Sequence, residues 1–219
     1  MFLKKCGGLL LKEGDFVKLE YEGYDEDGKI FDSTKGEIAK TLRGKEGPIV
    51  MILGKDKMIQ GLQDAIFKMK KGEENEITLD PKDAFGVRKK ELVKVLPESE
   101  FRKQNLDPQP GLQIQMDTSF GRLMGIIKSI TSGRVMVDFN HPLAGKKVRY
   151  KIKLVDVLTE LKDKVSSVID RMGFDADFEL KNENLTLKIK KDKDYEQKKN
   201  MLVSMIKVFI PEIKEIKAE

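Results

Sequence analysis

Apolar and polar positions alternate through residues 14 to 34: Phe16, Val17, Leu19 and Tyr21 lead to Glu22, and after Asp25-Glu26-Asp27-Gly28 the apolar pattern resumes at Ile30 and Phe31. Alternation broken by a turn cluster predicts a β-hairpin. A calcium loop is the competing reading of the turn. An EF-hand counted from Asp25 needs oxygen ligands at its fifth and twelfth positions, and Lys29 and Gly36 stand there. Asp27-Gly28 therefore predicts a type I′ turn. Gly47-Pro48 opens a short apolar stretch, Ile49 to Leu53, and beyond Gly54 the period changes. Ile59, Leu62, Ala65, Ile66 and Met69 describe one buried helix face. Gly72 is placed to end that helix, and Glu76 to Leu79 reads as a strand before Asp80-Pro81. Strand, helix, strand within a mostly β segment indicates an α+β unit.

The texture changes from Gly86 to about Asp138. A mixed stretch (Leu92 to Phe101) and a proline-rich turn (Asp107 to Gly111) precede alternation at Leu112, Ile114 and Met116, a strand candidate over Leu123 to Ile130, and Val135 with Val137. This predicts a small β domain of its own. Alternation at Val148, Tyr150, Ile152 and Leu154 then predicts completion of the first sheet, which makes the middle unit an insertion. From Leu158 the pattern is different again. Leu158, Leu161, Val165, Val168, Ile169 and Met172 keep helical spacing, with Gly173 as C-cap. Phe178 and Leu180, a turn at Asn182-Glu183-Asn184, and Leu185, Leu187 and Ile189 predict a hairpin. Asp194 is placed to cap a second helix running to about Val208, limited by Pro211.

Composition narrows the chemistry. The chain has 219 residues, 39% hydrophobic and 36% charged, too apolar for a disordered chain and too charged for a membrane protein. No apolar run approaches the roughly 18 residues that cross a bilayer, and Met1 to Leu11 lacks a signal-peptide core, so a cytoplasmic location is expected. One cysteine, Cys6, and one histidine, His141, cannot build a zinc-finger-type site or an intramolecular disulfide. With no G-x-S-x-G motif and His141 inside Asn140-His141-Pro142, triad hydrolase chemistry is disfavoured. Net charge is only +5, with signs interspersed, so the pI near 9.0 is a weak argument for nucleic acid.

Three segments in order carry a resemblance: Val17-Lys18-Leu19-Glu20-Tyr21-Glu22-Gly23, then Gly28-Lys29-Ile30-Phe31-Asp32-Ser33-Thr34, then Met58-Ile59-Gln60-Gly61-Leu62. Together they resemble the FKBP-type peptidyl-prolyl isomerases. Ala84-Phe85-Gly86 is similar to that family's Ala-Tyr-Gly element, and Asn140-His141-Pro142-Leu143-Ala144-Gly145 to the Asn-His-x-Leu-Ala-Gly segment of its SlyD-like branch. The resemblance covers about residues 10 to 157, and the tail is similar to that of long-chain archaeal members. It implies an α+β fold: an FKBP-like antiparallel sheet wrapped on one helix, an inserted small β-rich domain and a C-terminal α/β module. The implied division is 1–85 with 139–157 for the isomerase, 86–138 for an insert-in-flap chaperone domain, and 158–219 for an α-β-β-α type domain.

The same resemblance implies the site. Tyr21, Phe31, Asp32, Phe85 and Tyr150 would form its catalytic part. Met58 and Ile59 would form the rim, with the Ile59 N–H holding a substrate carbonyl, and Leu62 and Leu143 would complete the lining. Leu62 replaces the tryptophan floor of many members, and Phe85 replaces a tyrosine whose hydroxyl meets the bound chain. Each aromatic has a plain core reading beside this one, Asp32 an alternative as a cap on the Ser33-Thr34 turn, and His141 reads as a structural loop residue. In the insert, Leu112, Ile114, Met116, Met124, Ile126 and Ile127 are candidates for an adaptable surface that grips unfolded chains, although about half of them must form the insert's own core. No cofactor and no metal are implied; without a His-rich tail, nickel binding is not carried over. Expected partners are unfolded or proline-containing polypeptides, with no membrane or nucleic-acid partner, and a homodimer through the C-terminal domain is the candidate assembly. The rivals are a non-catalytic holdase with a vestigial pocket, kept open by Phe85, and an RNA-associated protein, suggested by nine basic against six acidic residues in the insert.

Overall fold

The computed structural model describes residues 10–118, 121–173 and 175–218; Cys6 and the segment before Leu10 lie outside them. Strands β1 (Phe16–Tyr24) and β2 (Ile30–Ser33) precede helix α1 (Gly36–Arg43), β3 (Ile49–Ile52), α2 (Gln60–Ile66) and β4 (Glu74–Leu79). The middle of the chain holds β5 (Val93–Pro97), α3 (Glu98–Arg102), β6 (Gln113–Thr118), β7 (Gly121–Thr131) and β8 (Arg134–Asp138). Then come β9 (Val148–Leu158), α4 (Leu161–Met172), β10 (Ala176–Lys181), β11 (Asn184–Ile189), α5 (Tyr195–Phe209) and β12 (Glu215–Ala218). The contacts divide the chain into two compact units: residues up to Thr78 with those from Arg149 onward, and Leu79–Val148.

In the first unit the strands run in the order β2-β1-β9-β4, with β3 pairing β1 beyond β2. The return at Val148 does complete this sheet: Leu19 lies opposite Leu154, Tyr21 opposite Ile152 and Gly23 opposite Tyr150. The β1–β2 hairpin forms, but its turn is not type I′. Gly28 is left-handed (φ 77°) while Asp27 is not, because Asp25 holds the loop. The Asp25 carboxylate accepts the N–H groups of Asp27 (3.1 Å) and Lys29 (2.9 Å), and the Asp25 carbonyl accepts that of Gly28 (3.1 Å). Helix α1 has no counterpart in the apolar periodicity, since Ala39 is its one buried residue; it ends at Gly44, whose left-handed backbone (φ 74°) returns an N–H to the Lys40 carbonyl.

The C-terminal segment packs on the same unit. Phe16 and Ile52 of the first sheet share a buried cluster with Val165, Val168, Leu187, Leu202 and Ile206. Gly173 caps α4 in the left-handed region as its position predicts. Asp194 stands before α5, yet its carboxylate makes no capping bond. Beyond Pro211 the chain adds β12, which lies parallel to β11 and was not visible as periodicity.

The second unit is a four-stranded antiparallel sheet in the order β5-β8-β7-β6 around Phe101, Ile114, Ile127, Val135, Val137 and Phe139. Where its outgoing and returning chains meet, the Asn140 side-chain amide imitates a peptide group. Its Oδ1 accepts the Lys89 N–H (2.8 Å) and its Nδ2 donates to the Lys89 carbonyl (3.0 Å). Buried Asp138 closes the junction by accepting from Asn140 Nδ2 (2.7 Å) and Arg88 Nη2 (2.6 Å).

Candidate active site

Strand register brings the first group of candidate residues together. Gly23 lies opposite both Asp32 on β2 and Tyr150 on β9, so the side chains of three strands converge around a residue that has none. The Phe31 and Tyr150 rings meet edge to face at 5.7 Å, and Tyr21 and Tyr150 are tilted at 6.1 Å, the separations at which aromatic pairs attract. Gly23 makes this packing feasible: a Cβ there would stand 2.8 Å from Phe31 Cζ and 2.9 Å from Tyr150 Cε1. Tyr150 is 3% exposed. Tyr21 is fixed on its backbone side by fully buried Thr34, whose Oγ1 accepts the Tyr21 N–H (2.9 Å) and donates to the Tyr21 carbonyl (3.1 Å).

Asp32 is tied into a polar network at the edge of these rings. The Tyr21 hydroxyl donates to Asp32 Oδ2 (2.9 Å), and Arg43 Nη1 reaches Asp32 Oδ1 (3.3 Å) and the Tyr21 oxygen (3.2 Å). Arg43 Nη2 also donates to the Ser33 carbonyl, and the guanidinium carbon lies 5.8 Å from the Tyr21 ring centre. Burial, and then the Asp32 carboxylate, push the Tyr21 hydroxyl up to about 12, with Arg43 opposing. Burial first, then the charges of Asp32 and Tyr21, push Tyr150 up as well. Both phenols therefore remain protonated donors at neutral pH. The cluster offers apolar walls and fixed dipoles and no neutral-pH proton carrier.

The remaining candidates occupy two places. Met58 and Ile59 are half-buried on the loop that enters α2, Ile59 being the extended residue before the helix, and Leu62 is 6% exposed on α2. Phe85 and Leu143 belong to the second unit, where His141 joins them. The Phe85 and His141 rings stack at 4.4 Å with 4° between planes, and His141 Nδ1 accepts the Leu143 N–H at 3.1 Å. Burial lowers the His141 pKa, so the ring is a neutral acceptor that orders this loop.

In the sheet of the second unit, Ile127 is fully buried in the core and offers nothing to a partner, because its position on β7 faces Val137 and the interior. Ile114, at 8% exposure, belongs both to the core and to a groove of about 430 Å³ beside strand β6, whose lining mixes Leu96, Phe101, Leu106, Ile114 and Met116 with the polar Glu100, Gln104, Gln113, Gln115 and Asp117. Leu112 is partly exposed near this edge, while Met124 is 53% exposed and Ile126 half-buried on neighbouring β7. Sequence reasoning missed Gly23, Thr34 and Arg43 as site-forming residues. The first two lie inside the quoted motifs, and Arg43 had no signal beyond its place in α1.

Comparison with known proteins identifies the family. A family model for FKBP-type peptidyl-prolyl cis-trans isomerase matches residues 9–109, and one for the FKBP26 IF domain matches residues 94–143. The short-type peptidyl-prolyl cis-trans isomerase of Methanocaldococcus jannaschii is 35% identical over 153 residues, covering 68% of this chain and 94% of that protein. The FKBP-type 16 kDa peptidyl-prolyl cis-trans isomerase of Escherichia coli is 30% identical over 123 residues, 56% of this chain and 82% of that protein. SlyD of Helicobacter pylori is 31% identical over 109 residues, 49% and 58% respectively. A sheet that gathers Tyr21, Phe31, Asp32 and Tyr150, interrupted by a second β unit and matched along most of a curated relative, places this chain in the FKBP-type peptidyl-prolyl cis-trans isomerase family, in its SlyD-like, insert-bearing branch.

Proposed function

We propose that this chain is a cytoplasmic folding factor that isomerises X-Pro bonds in unfolded or partly folded polypeptides and holds those polypeptides on its inserted unit. The observation that carries the catalytic half is the Tyr21, Phe31 and Tyr150 cluster closed by Asp32 and Arg43. Rotation about a peptide bond faces about 18–20 kcal/mol, because twisting removes amide resonance, and an X-Pro bond takes tens to hundreds of seconds unaided. Lowering the barrier needs no nucleophile; the catalyst must bind the twisted amide better than the planar one. Aromatic walls strip water from a carbonyl that is better solvated in the planar state. Tyr21 and Asp32, each already bonded to the other, keep those walls fixed without competing for the substrate.

The groove beside β6 supports the holding half. Strand β6 is the edge of its sheet, an edge can take an extended chain by backbone pairing, and neighbouring apolar side chains can accept that chain's alternate residues. Met116 suits a tolerant surface. Phe85 is the feature behind the second reading, a holdase without catalysis, since phenylalanine has no hydroxyl to give a bound chain; one such bond is worth about 0.5–1.5 kcal/mol, so its loss alone gives weaker turnover and keeps the catalytic reading first.

The test is cis-trans exchange of a short proline peptide and refolding of a proline-limited protein, each with catalytic amounts of the chain. Acceleration of both, lost in Tyr21→Ala and Phe31→Ala, is the expected result. Suppressed aggregation with no acceleration of either substrate would leave the holdase as the account.

A further inference from the structure

The C-terminal segment, to which neither family match extends, reaches the loop that carries the pocket rim. Arg171, in the last turn of α4, forms a two-pronged pair with Asp56: Nη1 to Oδ2 at 2.9 Å and Nη2 to Oδ1 at 2.7 Å. The Asp56 side chain is only 4% exposed. Its Oδ2 also accepts the Ile52 N–H (2.7 Å), while the Asp56 N–H returns to the Ile52 carbonyl (3.0 Å). One carboxylate thus folds residues 52–56 into a closed turn, and Met58 and Ile59 follow after Lys57. Loop residues from Leu53 to Ile59 have no ladder of their own. A buried carboxylate is tolerated only where its charge is met, and a forked guanidinium meets it in one fixed orientation.

We infer that the C-terminal segment is a positioning element for substrate binding, acting through Arg171 on Asp56 to set the place of Met58 and Ile59. The inference rests on the isomerase reading proposed above. Arg171 touches no substrate. It fixes the turn that fixes the rim, so its loss is felt in binding before it is felt in turnover.

The experiment is steady-state kinetics of the full-length chain on a short proline peptide, well below the thermal midpoint of every variant. Arg171→Met is expected to raise KM about three- to tenfold, a fraction of what a lost charge-assisted pair is worth because the effect reaches the rim through the turn, with kcat nearly unchanged. Arg171→Lys should recover part of the loss, and Arg171→Met combined with Asp56→Asn should be markedly less than additive. The control is Leu202→Ala, which loosens the tail's core without touching Asp56. A KM unchanged in Arg171→Met overturns the inference, and so does an equal KM rise in Leu202→Ala, which would make the effect general destabilisation. If Arg171→Met does not fold, the milder Arg171→Lys decides by the same comparison. A wild-type chain without isomerase activity would instead sink the reading on which the inference stands.

Discussion

Gly23 and Phe31 are in a contact that leaves no room for a methyl group: a Cβ on Gly23 would lie 2.8 Å from Phe31 Cζ. The nearest atoms on the other side belong to Tyr150, so neither ring can retreat without disturbing the other. Gly23→Ala is expected to cost about 1–3 kcal/mol in stability, as overpacking does, and to lower isomerase activity further than stability alone explains. Activity and denaturant midpoint measured on the same preparation check this. Normal activity in a stably folded Gly23→Ala protein would show that the ring arrangement is not what catalysis needs.

Arg43 is the cation of the Tyr21–Asp32 pair and holds the Ser33 carbonyl as well. Its replacement by glutamine leaves a carboxylate and a phenol without their shared donor. Hydrogen bonds to charged groups contribute about 1.5–3 kcal/mol, so kcat/KM should fall roughly tenfold or more. The same change should push Tyr21 ionisation further up, because Arg43 pulls it down. Tyrosinate absorbance during alkaline titration, with Tyr21→Phe as reference, reads the shift.

His141 gives a pH dependence with a defined sign. Burial lowers its folded pKa below the ordinary 6.5, so in the window between these values the unfolded chain binds the proton and the folded chain does not. Its stabilising contribution is complete above pH 6.5 and is lost as pH falls through the folded value. Protonation at Nδ1 also ends acceptance of the Leu143 N–H. Denaturant midpoints followed downward from neutral pH should decline in the wild type and flatten over that window in His141→Asn. Identical slopes would mean that His141 contributes nothing to the loop.

Leu202 is fully buried on α5, in the cluster that contains Phe16 and Ile52. Leu202→Ala should cost about 2–5 kcal/mol and lower the melting of the isomerase sheet together with that of the tail. One transition, seen alike by activity and by far-ultraviolet circular dichroism, is the expected outcome. Separate transitions would show that the shared cluster does not couple them.

Periodicity made most of this architecture legible. The spacing from Ile59 to Met69 and the alternation from Val148 to Leu154 found α2 and β9, because strongly patterned segments bury one face whatever surrounds them, although α2 stops at Ile66 and Gly72 does not end it: the Gly72 N–H donates to the Leu154 carbonyl instead. Short elements were not legible: α1 buries one alanine and β12 has four residues, too few positions for a period. The Asp27-Gly28 turn was misjudged because the Asp25 carboxylate gathers two amides and selects another geometry. The resemblance pointed to Tyr21, Phe31, Asp32 and Tyr150, which the strands bring together, whereas Arg43 and Arg171 meet partners distant in sequence. Nothing in a linear pattern announces that Arg171 will meet Asp56.

The inserted sheet is continuous in the chain, from Leu79 to Val148, whereas Phe16 on β1 must wait for Leu158 on β9 and for the cluster that includes Ile210. During synthesis, which proceeds at about 5–20 residues per second, the insert has all of its partners before the host sheet has its central neighbour. The inserted sheet is finished first, while the stretch ending at Thr78 still lacks the strand and the buried cluster that complete its own core.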